Sequence, residues 1–316
     1  MIRIAIAVAA FALSLPAAAQ DRTVKFLVGF PAGASLDTMT RLVADRMRVT
    51  LGQPVVVENR PGAAGQIAMT AVKNSPPDGL TLVMTPLVTV VTAPHIQTLP
   101  YDAFADFAPV SHTANFLFAF GVNAQVPAQT LAEYVALVKR DAKYGNYSSA
   151  APGSLPHFFS LLFADKAGLA SMNHIGYKGS AQAMTDLLGG QIAAFMGVVS
   201  DLAPQHKAGK VRVLATSGAK RARDLPDAPT FKELGYGIEG AGWYAAYAPA
   251  KTPKETVDRL SAAISEAIKS PDVRPKLEAM GMEPTGTNAA ELALIHRADY
   301  DKWGPVIKAS GFKPGS

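Results

Sequence analysis

His174-Ile175-Gly176-Tyr177-Lys178-Gly179-Ser180-Ala181-Gln182-Ala183-Met184-Thr185-Asp186-Leu187-Leu188-Gly189-Gly190 holds a complete strand-to-helix junction. The run 172–177 reads as a short strand, Gly179 breaks it, and Ser180 is placed to cap a helix running to Leu188. The same order recurs outward from this block. Upstream, 146–149 reads as a strand, followed by a Gly/Pro turn and a helix containing Phe158 to Phe163. Further upstream, 24–30 is a strand candidate broken by Pro31-Ala32-Gly33. After it, Ser35 is placed to cap a helix with Leu36, Met39, Leu42, Val43 and Met47 at helical spacing. The runs 55–58, 80–84, 192–196 and 211–215 are further strands, and 66–73 a further helix. Strands alternating with helices predict a mostly parallel sheet covered on both faces.

The pattern restarts after residue 120, where Thr130-Leu131-Ala132-Glu133 reads as a capping box. A chain of 316 residues suits two α/β lobes better than one core. The C-terminal part reads as helical: Thr252-Pro253-Lys254-Glu255 predicts a capped start, and another helix starts near Asn288. At the N-terminus, Arg3, the apolar run 4–15, Pro16 and Ala17-Ala18-Ala19 read as a secretory signal peptide cut after Ala19. The run is too short for a spanning helix, so no membrane anchor is expected. The chain has no cysteine, which excludes disulfides and a lipidated cysteine. Its formal charge of +5, or +4 once Arg3 leaves with the signal, favours approach of anions. There is no basic stripe with interleaved aromatics, so no nucleic-acid partner is expected.

HExxH, P-loop and GxSxG patterns are absent. The one GxGxxG, Gly235 to Gly240, has a β-type run after it where a dinucleotide site needs a helix, so it reads as a flexible connection. No two of the six histidines have helical metal-ligand spacing, so neither metal nor cofactor is expected. Ser149, His157 and Asp186 can be assembled on paper into a hydrolytic triad, but any chain of this size offers such a trio. More informative are the small residues where strands end and helices begin: 32–35, 62–65, 149–154 and 179–181. Free N–H groups at such junctions hold carboxylates or phosphates, and ligands of open α/β sheets sit outside the carboxyl ends of the strands.

Taken in order, these blocks resemble the Bug family, the TctC-like receptors of tripartite tricarboxylate transporters. Carrying the resemblance are Phe30-Pro31-Ala32-Gly33-Ala34-Ser35-Leu36-Asp37 with Arg41, Glu58-Asn59-Arg60-Pro61-Gly62-Ala63-Ala64-Gly65, and Pro77-Asp78-Gly79-Leu80-Thr81-Leu82 with Leu99-Pro100-Tyr101-Asp102. In the second half they are Asn146-Tyr147-Ser148-Ser149 with Gly153-Ser154 and His157, then the block from His174 to Gly190, 209–215 and 225–230. Each motif is weak alone, and their collinear order over almost the whole mature chain is specific. The resemblance implies an α/β, two-lobed type II periplasmic binding protein with mixed sheets flanked by helices and a ligand cleft at the hinge. It implies a first lobe of residues 20–121 plus 246–316 and a second of 122–245. It also implies a periplasmic monomer without catalysis or cofactor, which binds a small carboxylate and hands it to membrane permease subunits. Departures from the family pattern are Ala34 and Ala151 in place of glycines, Gly176 in place of proline, and no acidic residue in 193–198. They leave the acid open among dicarboxylates, tricarboxylates and aromatic acids.

On this reading Phe30, Ala32 and Ser35 present N–H groups and a ring face to the ligand. The plainer alternative is a structural turn over a buried Phe. Ser149 and Ser154 hydrogen-bond a carboxylate or cap the next helix. His157 is a pocket donor or a satisfied core histidine, the latter being the commoner case. Tyr177, Gly179 and Ala181 border the cleft. Asp186 holds water, a ligand hydroxyl or the loop backbone, since a carboxylate repels an anion. Thr85 is a weaker candidate, and Lys178 is either a ligand cation or solvated. A partner of a membrane sensor kinase and a secreted hydrolase are the other functions open to such a chain.

Overall fold

A computed structural model of the chain describes residues 23–177 and 179–313. The expected signal segment, Lys178 and residues 314–316 lie outside the described residues. The chain begins with β1 (Val24–Val28), α1 (Ser35–Leu51), β2 (Val55–Asn59), α2 (Gln66–Lys73), β3 (Thr81–Pro86) and the single turn α3 (Ala93–Ile96). Two consecutive strands follow, β4 (Phe107–Phe116) and β5 (Phe118–Asn123), with only Leu117 between them. Next come α4 (Leu131–Arg140), β6 (Asn146–Ser149), α5 (Leu155–Ala167), β7 (Asn173–Ile175), α6 (Ser180–Leu188), β8 (Ala194–Val198), α7 (Val199–Lys207) and β9 (Val211–Thr216). The chain closes with β10 (Gly242–Pro249), α8 (Lys254–Lys269), α9 (Arg274–Ala279), β11 (Met282–Pro284) and α10 (Ala289–Ser310).

Two sheets result, in the orders β11-β4-β10-β3-β1-β2 and β7-β6-β8-β5-β9. The chain passes from the first sheet to the second at Leu117 and returns between Thr216 and Gly242. This is the two-lobed architecture the resemblance implies. The sheets are mixed, which corrects the mostly parallel arrangement read from alternation alone. β1 pairs parallel with β2 and β3, and β6 with β7 and β8, whereas β4, β5 and β10 run antiparallel to their neighbours. These strands form where the chain changes sheets without an intervening crossover helix, so no parallel pairing is required of them.

Strand alternation sends successive side chains to opposite faces. In β1, Val24, Phe26 and Val28 join Met39, Val43 and Met47 of α1 and Leu260 and Ile264 of α8, while Leu27 faces α2 beside Met69 and Val72. In β5, Ala119 faces α6 and α7, while Phe118, Phe120 and Val122 enter the core that also holds Leu27 and Val83 of the first sheet. That core runs on through Phe158 and Phe163 of α5 to Trp303 and Ile307 of α10, so the two sheets share it.

Three expected caps are corrected. Ala34 and Gly179 hold the N-cap positions of α1 and α6, with Ser35 and Ser180 inside the first turn. Pro253 caps α8, one residue later than a box on Thr252 requires, and the buried Thr252 hydroxyl has no hydrogen-bond partner. The Thr130 hydroxyl accepts from Glu133 N–H, while the Glu133 carboxylate reaches Gln129 N–H (2.6 Å) instead of closing the box on Thr130. At Asn288 the full box forms. The glycine-rich stretch 235–240 is a loop running into β10, as its context required. Among the described residues no helix is long and apolar enough to cross a membrane.

Candidate ligand-binding site

The parallel strands β1, β2 and β3 bring their carboxyl ends to one side of the first sheet, and β6, β7 and β8 do the same in the second. The proposed residues gather at these ends in two groups.

In the first group, the loop after β1 is fixed by Asp37 in the first turn of α1. Its buried carboxylate accepts from Gly33 N–H (2.9 Å), Arg41 Nε (3.0 Å) and Asn59 Nδ2 (2.8 Å), and Asn59 Nδ2 also donates to the Phe30 carbonyl (3.2 Å). Burial works to raise the Asp37 pKa. The hydrogen bonds from Arg41, Gly33 and Asn59, with the Arg41 charge, outweigh it and hold the group below the ordinary carboxylate value. The loop itself, from Pro31 to Ser35 and including Ala32, is exposed.

The half-buried Phe30 ring lies against the turn after β2. A Cβ on Gly65 would come within 3.2 Å of that ring and 3.0 Å of the Thr89 methyl, and one on Gly29 within 2.6 Å of Gly65 Cα. Only glycine lets these two loops cross so closely. The turn is strained: Gly62, Ala63, Ala64 and Gly65 have φ of 136, 45, 52 and 94°. Two successive alanines in the left-handed region are costly, and such strain clusters at ligand clamps. Beside this turn the buried Thr85 hydroxyl lies 2.7 Å from that of Thr89, which donates to the Pro86 carbonyl (3.0 Å).

The second group is built on β6, α5 and β7. Parallel register sets Tyr147 beside His174, one residue from Ser148 and two from Ser149. Ser149 Oγ contacts His174 Nε2 at 2.9 Å, and the His157 and His174 rings stand 4.0 Å apart. His157 Nδ1 accepts from Gly153 N–H (3.0 Å), which places the neutral ring's proton on Nε2. Ser149 and Ser154 both donate to the Ala151 carbonyl, at 3.1 and 2.6 Å. Their protons therefore secure the loop. Burial lowers the pKa of both histidines to about 4, assisted at His174 by the neighbouring His157, so both are neutral at pH 7. The Tyr177 hydroxyl donates to Asp186 Oδ2 (2.5 Å), and burial, that bond and the Asp186 charge push the phenol up to about 12. Gly179 and the exposed Ala181 stand at the start of α6. In α7, burial raises the pKa of Asp201 against the opposing hydrogen bond with Ser180.

The paper triad does not assemble. The imidazole on Ser149 is that of His174, His157 turns to Gly153, and Asp186 is held by Tyr177. Sequence reasoning also passed over Asp37, Asn59, Thr89 and His174 as site-forming residues. Asp37, Asn59 and His174 stood inside the quoted motifs. Gly33 and Arg41 are local partners of Asp37, whereas Asn59 reaches Asp37, and His174 reaches Ser149, only through the strand register.

A family model described as "Tripartite tricarboxylate transporter family receptor" matches residues 39–312. The chain is 31% identical over 297 residues to protein BugT of Bordetella pertussis, covering 92% of this chain and 90% of that one. Among solved structures, a Rhodopseudomonas palustris protein with adipate superposes with a TM-score of 0.78 at 30% identity, covering 92% of this chain and 97% of the other. MatC of the same organism, with bound malate, gives 0.74 at 30% identity over 90% and 98%.

Proposed function

This chain belongs to the tripartite tricarboxylate transporter receptor family, and from that premise we propose that it captures a small carboxylate in the periplasm for a membrane permease. The single observation that carries the reading is that each sheet ends in a group of strand-end loops built on glycine and small residues. Loops of this kind offer backbone N–H dipoles, and several such donors offset the several kcal/mol that desolvating a carboxylate otherwise costs. The relatives whose structures hold malate and adipate support a dicarboxylate as the first candidate. The ligand's contacts come from Phe30, Ala32, Ser35 and Thr85 on one side and from His157, Tyr177, Gly179, Ala181 and Asp186 on the other, while Ser149 and Ser154 act by holding the 149–154 loop rather than by donating to the carboxylate.

The lobes turn about the two sheet crossings, one at Leu117 and one between Thr216 and Gly242, with hinges near residues 121 and 245 as the resemblance implies. Ligand contacts from both lobes favour the closed state, which the permease subunits recognise. The protein works as a monomer, without cofactor and without chemistry on its ligand, after removal of residues 1–19. The Ser149 hydroxyl is buried and committed to the Ala151 carbonyl, which favours a holding role over a nucleophilic one.

A thermal-shift series with malate, adipate, citrate and benzoate tests this. A true ligand at a hundred times its Kd stabilises by about 2.7 kcal/mol. Raised melting with at least one of these acids, and no hydrolysis of ester substrates, is the expected result. A flat response to all of them overturns the ligand class.

A further inference from the structure

The C-terminal helix ends at Gly311 in the left-handed conformation, and the chain then sends Phe312 away from the first sheet onto the second lobe. The Phe312 ring meets His157 edge-on at 5.6 Å and 77°, and Phe158 at 5.6 Å and 86°. It also covers Gly153, where a Cβ would come within 2.7 Å of the ring. Gly153 has φ of +73°, so both conformation and space demand glycine there. From the other side, Gly176 lies against Pro152, with a Cβ there 3.1 Å from the proline ring. The loop 150–154 is thus held between the strand after His174 and an aromatic ring from the far end of the chain.

We propose that Phe312 is a positioning residue for the carboxylate-binding loop of the second lobe. It acts through His157: the ring seats the imidazole, whose Nδ1 holds Gly153 N–H, and whose face lies 4.0 Å from His174, the partner of Ser149. Because Phe312 follows directly on α10, which packs along β4 of the first sheet, the loop's order is tied to the seating of a helix on the other lobe. The proposal rests on the carboxylate-receptor reading for its effect on binding, but not for its effect on the loop.

Two measurements separate the two. In 15N-labelled protein, Phe312→Ala is expected to speed amide exchange at Gly153 about threefold to tenfold, the range that removal of one aromatic pair produces. It is also expected to shift the His157 and His174 ring resonances, and Phe312→Tyr is expected to restore both. Leu294→Ala, on the exposed face of the same helix, is the control that leaves Gly153 exchange unchanged. With adipate as probe, Phe312→Ala is expected to weaken binding by a similar factor, with Phe312→Tyr near wild type. Unchanged Gly153 exchange and ring shifts in Phe312→Ala overturn the proposal outright. If exchange rises while adipate affinity holds, the loop is positioned but the positioning of the binding site is refuted. If wild type ignores adipate, the receptor reading loses that ligand while the exchange arm still decides the role of Phe312.

Discussion

At the scale of the residue, the second group of candidate site residues rests on two neutral imidazoles. His157 and His174 have pKa values near 4 in the folded chain because burial disfavours their charge, against about 6.5 for a free imidazole. A group with a lowered folded pKa binds more protons when unfolded at intermediate pH. Stability is therefore full above about pH 6.5 and is lost as pH falls toward 4. His112, also buried and near 4, adds to the same slope, while Asp201 and Asp299, raised by burial, oppose it. The melting temperature should fall between pH 6.5 and 4. The double variant His157→Asn, His174→Gln keeps hydrogen-bonding atoms near Nδ1 and Nε2 and should show a shallower fall. A parallel pair of melting curves would show that these rings do not titrate with unfolding.

At the scale of the element, the turn 62–65 departs from what its residues prefer. Ala63 and Ala64 are held with φ of 45 and 52°, which costs about 1–2 kcal/mol per residue relative to the right-handed form. Glycine removes that cost but adds about 0.5–1 kcal/mol of backbone entropy to be lost on folding. Ala64→Gly should therefore raise unfolding stability by about 0.5–1 kcal/mol in urea melts, the difference between the two effects. It should also weaken binding, because a turn that is no longer held rigid must be ordered by the ligand. A destabilised variant would mean that the Ala64 methyl contributes more through packing than its conformation costs. The Gly29–Gly65 crossing in the same region has no such freedom, since the obstacle there is backbone.

At the scale of the whole molecule, the shared core matters more than the division into lobes. Phe118, Phe120 and Phe163 of the second lobe lie in the same buried cluster as Leu27 and Val83 of the first, and α10 closes it with Trp303. Trp303 is 1% exposed and meets Phe159 at 5.9 Å, while Asp299 on the same helix accepts from Trp243 Nε1 at 2.6 Å. The helix therefore fastens one lobe to the other. The chain should unfold in a single calorimetric transition with matching calorimetric and van't Hoff enthalpies. Trp303→Ala should cost about 3–5 kcal/mol, as large aromatic truncations do, and should broaden the transition as the lobes uncouple. A variant that melts as sharply as wild type would place the coupling elsewhere.

Local chemistry by itself determined much of this protein. The periodicity around Met39 and Met47, and the small residues at 32–35, 62–65 and 179–181, placed strands, helices and junctions close to where they stand, because these signals are written within a few residues. β4 escaped that reading: Ser111, His112 and Thr113 are buried within it, and a strand covered on both faces carries no polar–apolar alternation. Only the tertiary structure set His174 on Ser149, tied Asn59 to Asp37 and the Phe30 carbonyl, and seated Phe312 on His157. Those pairings follow from strand register and from the return of the last helix to the first sheet. Neither leaves a mark on the spacing of residues along the chain.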